Sequence, residues 1–309
     1  MIAPLPLRRG GRIGICAPAG PVADERLRAA VVALEADGYG VDVAPSAFGR
    51  NGLFSAPDEV RRRELEQMFA RPDVDAVFCA RGGVGSSRLL PLLNSAAISQ
   101  SRKPFLGFSD ITALQWLLSG RHGLVTFSGP LAVEWDGGVS EETRRRAFDM
   151  LEGKASRDLM TDFPRDRLRV LRGSRATGRL MPGNLTMIAT LLGTPYVPAL
   201  DGAILLIEDV GEPPYRIDRL LFHLRNAGVF DRIGALLAGD FGLESAEDVQ
   251  TVERSLLEAT LGVDFPVAIG LPYGHGPDRI TVPVGVTAKF DSENGTLSLL
   301  HAPIWVPSA

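Results

Sequence analysis

The first half of this 309-residue sequence alternates short apolar runs with longer amphipathic segments. The apolar runs are typical of buried strands, and they cover residues 12–17, 41–44, 76–80 and the stretch before Gly107. Helical spacing of apolar residues predicts helices over residues 24–36, 57–70 and 86–93. Strands that alternate with helices form a parallel sheet with helices on both faces. The first half is therefore predicted to adopt an α/β fold.

Three loops follow strands of this predicted sheet: residues 17–20, the glycine-rich residues 81–87, and the turn at Ser109. In an open α/β sheet, ligands bind at the carboxyl edge, where these loops would meet. The 81–87 loop, Arg-Gly-Gly-Val-Gly-Ser-Ser, lacks the lysine of a P-loop and the spacing of a dinucleotide fingerprint. Two interpretations of this loop remain open: a turn that needs positive φ, or an N–H donor that completes an oxyanion hole beside Ser109.

Ser109 stands between a predicted strand and a predicted helix, which is the position of the serine in a nucleophile elbow. Such a turn lifts the hydroxyl out of the sheet, and the N–H of the next residue, Asp110, faces an oxyanion formed there. The match to G-x-S-x-G is partial, because Ile111 replaces the second glycine. The alternative is a plain N-cap serine, since Ser and Asp are common at helix starts.

A chain of 309 residues exceeds the roughly 250–300 at which single cores usually divide, so two domains are expected. We predict an N-terminal domain over residues 1–152, a polar linker over 153–172 and a C-terminal domain over 173–309. In the second half, the predicted strands are residues 176–180, 203–207, 235–238, 267–269 and 282–290, and helices are predicted over residues 183–192 and 211–226. The apparent lack of regular crossover helices late in the chain favours a mixed, β-rich and barrel-like second domain.

The net charge of -4 and the scattered arginines give no reason to expect nucleic acid or an anionic membrane as a partner. No apolar stretch is long enough to span a membrane, and the N-terminus lacks the pattern of a secretory signal. Cys16 and Cys79 lie in apolar runs, which suits a reducing compartment, and Cys79 is expected to be an inert core residue. We therefore expect a cytoplasmic protein.

His275 is the histidine with the clearest functional context, because it lies between two glycines in a loop. Its side chain could accept a serine proton near neutral pH. Glu208 ends an apolar strand and could orient that histidine, with Asp209 and Glu212 as rivals. Ser109, Glu208 and His275 would together form a triad that straddles the two domains, in an interdomain cleft.

Short motifs occur in a fixed order along nearly the whole chain. They are Ala17-Pro18-Ala19-Gly20, Arg81-Gly82-Gly83, Gly107-Phe108-Ser109-Asp110, Gly183-Asn184-Leu185, the acidic and proline-containing residues 208–218, and Gly274-His275-Gly276. Each motif is weak alone, but their order makes the set specific. Through this set, the chain resembles the LD-carboxypeptidases, serine peptidases that act on murein peptides, and the related microcin-C immunity peptidases.

The resemblance implies a flavodoxin-like N-terminal domain, a β-rich C-terminal domain and a homodimer. It also implies that Ser109 is the nucleophile, His275 the general base and Glu208 its orienting partner. The N–H groups of Asp110 and Gly83 would hold the oxyanion, and the neighbouring Arg81 and Gly82 would belong to the substrate site. No metal or cofactor is expected. Relatives remove the terminal D-alanine from murein tetrapeptide during cytoplasmic cell-wall recycling.

Val84, Ser128 and Pro182 depart from the residues expected at those positions, and they place the exact substrate in question more than the mechanism. One alternative function is hydrolysis of an aminoacyl-nucleotide toxin by the same triad. That activity needs an aromatic residue to stack on the base, and Trp135 is the nearby candidate, although a packing or surface role suits it better. A non-catalytic binder of peptides or sugars is the third hypothesis.

Overall fold

The computed structural model describes residues 1–173 and 175–305. The strands of the first sheet are β1 (Arg12–Cys16), β2 (Gly40–Val43), β3 (Ala76–Cys79), β4 (Phe105–Gly107), β5 (Thr126–Ser128) and β11 (Val282–Val284). They are arranged in the order β11-β5-β4-β3-β1-β2, and β1 to β5 are mutually parallel. The order 2-1-3-4-5 of the parallel strands is that of flavodoxin-like folds. The predicted parallel sheet is therefore confirmed.

The helices of the first half are α1 (Asp24–Ala36), α2 (Asp58–Ala70), α3 (Ser95–Gln100), α4 (Thr112–His122) and α5 (Glu141–Leu151). The helix predicted over residues 86–93 is wrong, because the chain forms only a 3-10 turn at Ser86–Leu89. Pro91 prevents this turn from continuing as an α-helix. The unpredicted α3 starts after it, where the Asn94 side chain accepts a hydrogen bond from the N–H of Ala97 at 3.2 Å.

The second sheet contains β6 (Arg169–Arg172), β7 (Arg175–Asn184), β8 (Ile204–Glu208), β9 (Ala235–Ala238), β10 (Val267–Ile269), β12 (Thr287–Asp291) and β13 (Thr296–Leu299). Their order is β13-β12-β7-β8-β9-β10-β6. The four central strands, β7 to β10, are parallel, and the outer strands pair antiparallel with their neighbours. The mixed, barrel-like character predicted for this part is thus confirmed.

The helices of the second half are α6 (Leu185–Leu191), α7 (Pro214–Asn226) and α8 (Ala246–Ala259). The helices predicted over residues 183–192 and 211–226 are confirmed as α6 and α7, whereas the expectation that regular crossover helices are lacking late in the chain is wrong. Helix α7 connects β8 to β9, and α8 connects β9 to β10, as parallel strands require. The signal for α8 was present in the sequence: Val252, Leu256 and Ala259 are buried at helical spacing, and the Ser245 side chain caps the N-terminus.

The segment predicted as one strand over residues 282–290 is divided at Gly285, which has a φ of 90°. Residues before this glycine form β11, which pairs antiparallel with β5 in the first sheet, whereas residues after it form β12 of the second sheet. The strand β6 likewise lies at the end of the predicted linker and pairs with β10. The halves of the chain therefore share strands as well as a packing interface.

Helix α4, which follows the Ser109 turn, packs directly on the second sheet. Its Trp116 is buried and donates a hydrogen bond from Nε1 to the carbonyl oxygen of Pro182 in β7 at 2.9 Å. This contact brings the turn at the end of β4 against the carboxyl end of β7, where the candidate site lies. Within residues 1–173 and 175–305, none of the helices has the length and apolarity needed to cross a membrane.

Candidate active site

Ser109 occupies a strained turn between β4 and α4. Its φ is 62°, in the left-handed region that residues other than glycine seldom adopt. The strand β4 ends at Gly107, and a single 3-10 turn over Ser109–Ile111 leads into α4. Ile111 stands where the G-x-S-x-G motif has its second glycine, and its side chain packs against Gly107, the first glycine. A Cβ on Gly107 would lie 2.5 Å from Cγ2 of Ile111, so this position must remain glycine. The strand, strained turn and helix form the elbow predicted from the sequence.

The glycine-rich loop lies against this elbow. A Cβ on Gly82 would stand 3.0 Å from Cβ and 3.2 Å from Oγ of Ser109, so only glycine lets the loop come so close. The next residue, Gly83, has a φ of 100°, and among residues 1–173 and 175–305 no acceptor is hydrogen-bonded to its N–H. An oxyanion hole needs an N–H donor near the serine, and that donor must have no acceptor within the protein. Both interpretations of this loop, the positive φ and the donor, are compatible with the geometry.

Asp110 joins the elbow to the glycine-rich loop through its side chain. The buried carboxylate accepts a hydrogen bond from the N–H of Ser86 at 2.8 Å, and the Ser86 hydroxyl donates to the Asp110 carbonyl. Burial raises the pKa of the Asp110 carboxyl, while hydrogen bonds from the Ser86 and Gly85 N–H groups oppose that rise. On the other side of the loop, the buried Arg61 donates to the carbonyl oxygens of Pro18 and Gly85.

Glu208 and His275 form a hydrogen-bonded pair across 67 positions of sequence. Glu208 is the last residue of β8 and is fully buried, and its Oε2 lies 2.7 Å from Nδ1 of His275. Burial raises the pKa of the Glu208 carboxyl, and the hydrogen bond and charge of His275 oppose that rise. When the Glu208 carboxylate is ionised it can only accept a hydrogen bond, so a neutral His275 imidazole paired with it carries its proton on Nδ1 and leaves the lone pair of Nε2 free. That tautomer can accept a proton from an alcohol.

The rival carboxylates are engaged elsewhere. Asp209 accepts hydrogen bonds from Asn184 Nδ2 and from the N–H of Thr186, both at 2.9 Å. Glu212 pairs with Arg216 one helical turn away, at 3.2 Å. Because successive residues of a strand point to opposite faces, Glu208 is the carboxylate that reaches the histidine. The choice that the sequence left open is thus made by the side-chain contacts.

A chain of hydrogen bonds connects the elbow to the buried carboxylate. Thr112 Oγ1 donates to the carbonyl oxygen of Ser109 at 2.7 Å and accepts from the N–H of Asn184 at 3.1 Å. The Asn184 side chain in turn donates to Glu208 Oε1 at 3.2 Å. Sequence reasoning recognised Asn184 as part of a motif and missed Thr112, since a threonine in the first turn of a helix carries no distinctive signal. These two residues set the distance between the two halves of the site.

The rings beside the site bring Ser109 and His275 into one neighbourhood. The centroid of Phe108, the residue before the serine, lies 4.8 Å from that of His275. In the described part of the chain, no hydrogen bond joins Ser109 to His275. Catalytic hydrogen bonds are often long in the absence of substrate and tighten when it binds. The absence of this bond therefore does not exclude proton transfer from Ser109 to His275.

The remaining sequence candidates have clear surroundings. Arg81 is exposed beside the glycine-rich loop and donates from Nη1 to the carbonyl oxygen of Pro21 at 2.8 Å. Trp135 is 1% exposed and packs between Phe78 and Phe148, which confirms a packing role. Burial raises the pKa of the Cys79 thiol, as expected for an inert core cysteine.

Two of the residues that depart from the expected pattern have structural roles, and the third is exposed. Ser128 Oγ lies 2.8 Å from the buried hydroxyl of Tyr273, and Pro182 accepts the Trp116 hydrogen bond described above. Val84 is 45% exposed at the rim of the glycine-rich loop. Tyr273 was not singled out in the sequence, because a tyrosine two residues before a histidine carries no specific signal. Burial raises the pKa of its hydroxyl, which therefore stays protonated.

Comparison with known proteins gives the same result from both halves of the chain. Sequence profiles of the LD-carboxypeptidase N-terminal domain and the LD-carboxypeptidase C-terminal domain match residues 13–129 and 177–290. The murein tetrapeptide carboxypeptidase of Pseudomonas aeruginosa is 33% identical over 292 residues, which cover 91% of this chain and 93% of that protein.

Solved structures agree with that relationship. The muramoyltetrapeptide carboxypeptidase of Oxalobacter formigenes superposes with a TM-score of 0.79 at 33% identity, covering 93% of this chain and 97% of that one. The microcin C7 self immunity protein MccF, solved with aspartyl sulfamoyl adenosine, superposes with a TM-score of 0.89 at 22% identity, covering 99% of this chain and 100% of that one. The second likeness concerns the fold alone. On the sequence matches and the shared architecture, this chain belongs to the LD-carboxypeptidase family.

Proposed function

We propose that this protein is a serine-type LD-carboxypeptidase that removes the terminal D-alanine from murein tetrapeptide. The observation that carries the proposal is the hydrogen bond between Glu208 and His275 beside the strained turn of Ser109. Named relatives that act on murein tetrapeptide support the choice of substrate. A cytoplasmic location and a homodimeric state belong to the same proposal and come from the resemblance.

In the proposed mechanism, Nε2 of His275 takes the Ser109 proton while the hydroxyl oxygen attacks the carbonyl carbon of the L-configured diamino acid. Glu208 holds the imidazole in the required tautomer and stabilises the imidazolium that forms. The N–H groups of Gly83 and Asp110 donate to the tetrahedral oxyanion. His275 then protonates the leaving D-alanine, and a water molecule hydrolyses the acyl-enzyme by the same steps in reverse order.

Arg81 is proposed to recognise the free carboxylate of the terminal D-alanine. It is an exposed cation beside the loop that contacts Ser109, and a carboxypeptidase must bind a carboxylate within a few bonds of the scissile amide. Guanidinium groups bind carboxylates in a bidentate manner. Gly82 and Gly83 contribute backbone at the same place, because the loop contacts the serine.

Mass spectrometry of L-Ala-D-Glu-meso-diaminopimelate-D-Ala tests the proposal. The wild-type protein should release one alanine, whereas Ser109→Ala should release none. A tetrapeptide that remains intact with a folded wild-type protein would contradict the proposed activity.

Hydrolysis of an aminoacyl-nucleotide toxin is the second candidate, because the same three candidate residues could serve it and the fold is shared with MccF. The buried position of Trp135 counts against the aromatic platform that the sequence suggested for this activity. Incubation with an aspartyl sulfamoyl adenosine analogue separates the candidates. Cleavage of the analogue without action on tetrapeptide would select the second function, and binding of either compound without turnover would select the non-catalytic hypothesis.

A further inference from the structure

Arg279 is a charged residue in an unusual position, since only 1% of its surface is exposed. Arginine is almost never fully buried unless it is paired. Its Nη2 forms an ion pair with Glu134, which lies in the 3-10 turn Ala132–Asp136 of the first half of the chain. The same Glu134 oxygen accepts the N–H of Leu131 at 2.7 Å, which fixes the carboxylate to its own turn. The guanidinium is therefore anchored on the half of the molecule that carries Ser109.

The rest of the guanidinium contacts both neighbours of the candidate catalytic residues. Its Nη1 donates to the carbonyl oxygen of Gly276, the residue after His275, at 2.9 Å. Its Cζ lies 4.9 Å from the ring centroid of Phe108, the residue before Ser109. One buried cation thus touches the chain beside the proposed base and the chain beside the proposed nucleophile.

The Gly276 contact matters because the backbone around His275 has little other support. In the described residues, the hydrogen bond from Arg279 is the only one made by the backbone of residues 274–276. On one side of this stretch, the Tyr273 carbonyl accepts the N–H of Asp240 at 2.7 Å. On the other side, the Pro277 carbonyl accepts the N–H of Ser140 at 3.1 Å. The two glycines that flank His275 add no side-chain contacts of their own to hold this stretch between the two fixed points.

We propose that Glu134 and Arg279 form a positioning pair that holds His275 at the correct distance from Ser109. Glu134 fixes the guanidinium, and the guanidinium fixes the Gly276 carbonyl and the Phe108 ring. This inference rests on the proposed serine mechanism, although the placement of the histidine can be measured without any substrate. Because neither residue touches the substrate in this account, the pair acts on the catalytic rate constant and leaves substrate binding unchanged.

Steady-state kinetics of Glu134→Gln and Arg279→Lys on tetrapeptide give the first test. Glutamine keeps the size of Glu134 and removes its charge, and lysine keeps the charge of Arg279 but cannot contact Gly276, Glu134 and Phe108 at once. We expect kcat to fall by about 10²-fold in each variant, since small misplacement of catalytic groups has effects of that size. The KM should stay within about threefold of the wild-type value, as expected when ground-state binding is intact.

Glu253→Gln is the matched control. Glu253 is a buried carboxylate that pairs with Arg169 in the second half, with 2.6 Å between the atoms, and it lies outside the candidate site. This variant should lose thermal stability comparably and keep its kcat. Arg279→Ala adds a rescue test, because millimolar guanidinium ion should restore part of its kcat by filling the vacated place. Unchanged kcat in the folded Glu134→Gln protein would overturn the proposal, as would an equal loss in the control.

Nuclear magnetic resonance of histidine labelled with ¹³C and ¹⁵N gives a readout that is independent of turnover. The His275 imidazole signal, assigned with His275→Ala, should shift or broaden in Glu134→Gln and Arg279→Lys. The signals of His122, His223 and His301 should stay in place, and Glu253→Gln should move none of the four. If the wild type fails to cleave tetrapeptide but the His275 signal responds as expected, the substrate is wrong and the positioning role stands. A His275 signal that does not change would refute the positioning role itself.

Discussion

On the nucleophile side of the candidate site, Ser109 is held by backbone strain and close packing, whereas on the base side His275 is held by buried hydrogen bonds. Ser109 has a φ of 62°; a Cβ on Gly107 would lie 2.5 Å from Ile111, and one on Gly82 would lie 3.0 Å from the Cβ of Ser109. His275 depends on the fully buried Glu208, which in turn receives a hydrogen bond from Asn184. The first side is steric in nature and the second is polar.

This difference shows how each side should respond to change. A steric arrangement fails when an atom is added, because a well-packed interior has no space to receive it. A polar arrangement fails when one partner is removed or loses its charge, because the remaining buried group then lacks a hydrogen-bonding partner. The two sides should therefore be distinguishable by the kind of substitution that each one tolerates.

The largest effects are expected from removal of the reacting groups themselves. Ser109→Ala and His275→Ala should each lower kcat on tetrapeptide by on the order of 10⁶-fold, as in other serine triads. Ser109→Ala should keep its stability, because the serine is only half-buried, whereas His275→Ala should fold with lower stability, because it leaves the buried Glu208 without this partner. Stopped assays analysed by mass spectrometry measure the loss, and circular dichroism checks the fold. Substantial turnover by either variant would remove that residue from the proposed chemistry.

The next largest effect should come from Glu208→Gln, which tests the polar side. The amide nitrogen of glutamine would donate a hydrogen bond to Nδ1 of His275, so the imidazole proton would lie on Nε2. A protonated Nε2 cannot accept the proton of Ser109. We expect kcat to fall by about 10⁴-fold, as when the orienting carboxylate of another triad becomes an amide. Full activity in Glu208→Ala would instead transfer the orienting role to Asp209 or Glu212.

The same variant carries a prediction about stability and pH. Burial raises the pKa of the Glu208 carboxyl above its ordinary value of 4.5, so the folded protein holds this proton more tightly than the unfolded chain. Protonated Glu208 therefore makes its full contribution to the free energy of unfolding at pH values below the ordinary pKa. That contribution is lost as the pH rises through the raised pKa of the folded state. The free energy of unfolding of Glu208→Gln, relative to wild type, should therefore increase with pH across that interval. Urea unfolding at several pH values measures it, and a relative decrease would contradict the account.

Gly82→Ala tests the steric side with a smaller expected effect. The added methyl group would lie 3.0 Å from Cβ of Ser109 and must displace either the serine or the loop. We expect kcat to fall by about tenfold, because a 3.0 Å contact requires a shift of only a few tenths of an ångström, less than the ~1 Å displacement that costs about 10²-fold. Gly40→Ala is a suitable control for an added methyl group, because its φ is not positive and the nearest atom to its Cβ would be Cζ of the Arg12 side chain, at 3.6 Å. Equal activity of Gly82→Ala and wild type would show that the loop does not support the serine.

The smallest effect on rate is expected for Arg81→Met, because Arg81 belongs neither to the packing around Ser109 nor to the hydrogen bonds that hold His275. Loss of a charged hydrogen bond to the substrate carboxylate should raise KM by about tenfold to a hundredfold and leave kcat nearly unchanged. Amidation of the terminal D-alanine should raise KM for the wild type to a similar extent and have little further effect on the variant. A change confined to kcat would instead indicate a role in the oxyanion loop.

The sequence was sufficient for the parallel sheet and the elbow, because both depend on local patterns. Alternating strands and helices identified β1 to β4, and the motif around Ser109 predicted a turn that the φ value bears out. Helix α8 was missed although its buried residues follow helical spacing. The departure of β11 into the first sheet could not be predicted, because a strand carries no local mark of the sheet that it will join.

The long-range polar contacts were the hardest part to predict. The sequence favoured Glu208 but left Asp209 and Glu212 as rivals, and the side-chain contacts separate the three. Arg279 and Glu134 are 145 positions apart, and no motif in the sequence around either residue predicts that they pair. Residues that position others without reacting themselves carry no sequence motif, so only their contacts in the structure identify them.

The central claim is that the two differently built sides act as one catalytic unit. The most direct test is a double-mutant comparison of kcat for Ser109→Ala, His275→Ala and the variant that carries both changes. If the serine and the histidine act together, the double variant should be within a few-fold of the less active single variant. Losses that multiply, so that the double variant is far less active than either single one, would contradict the claim.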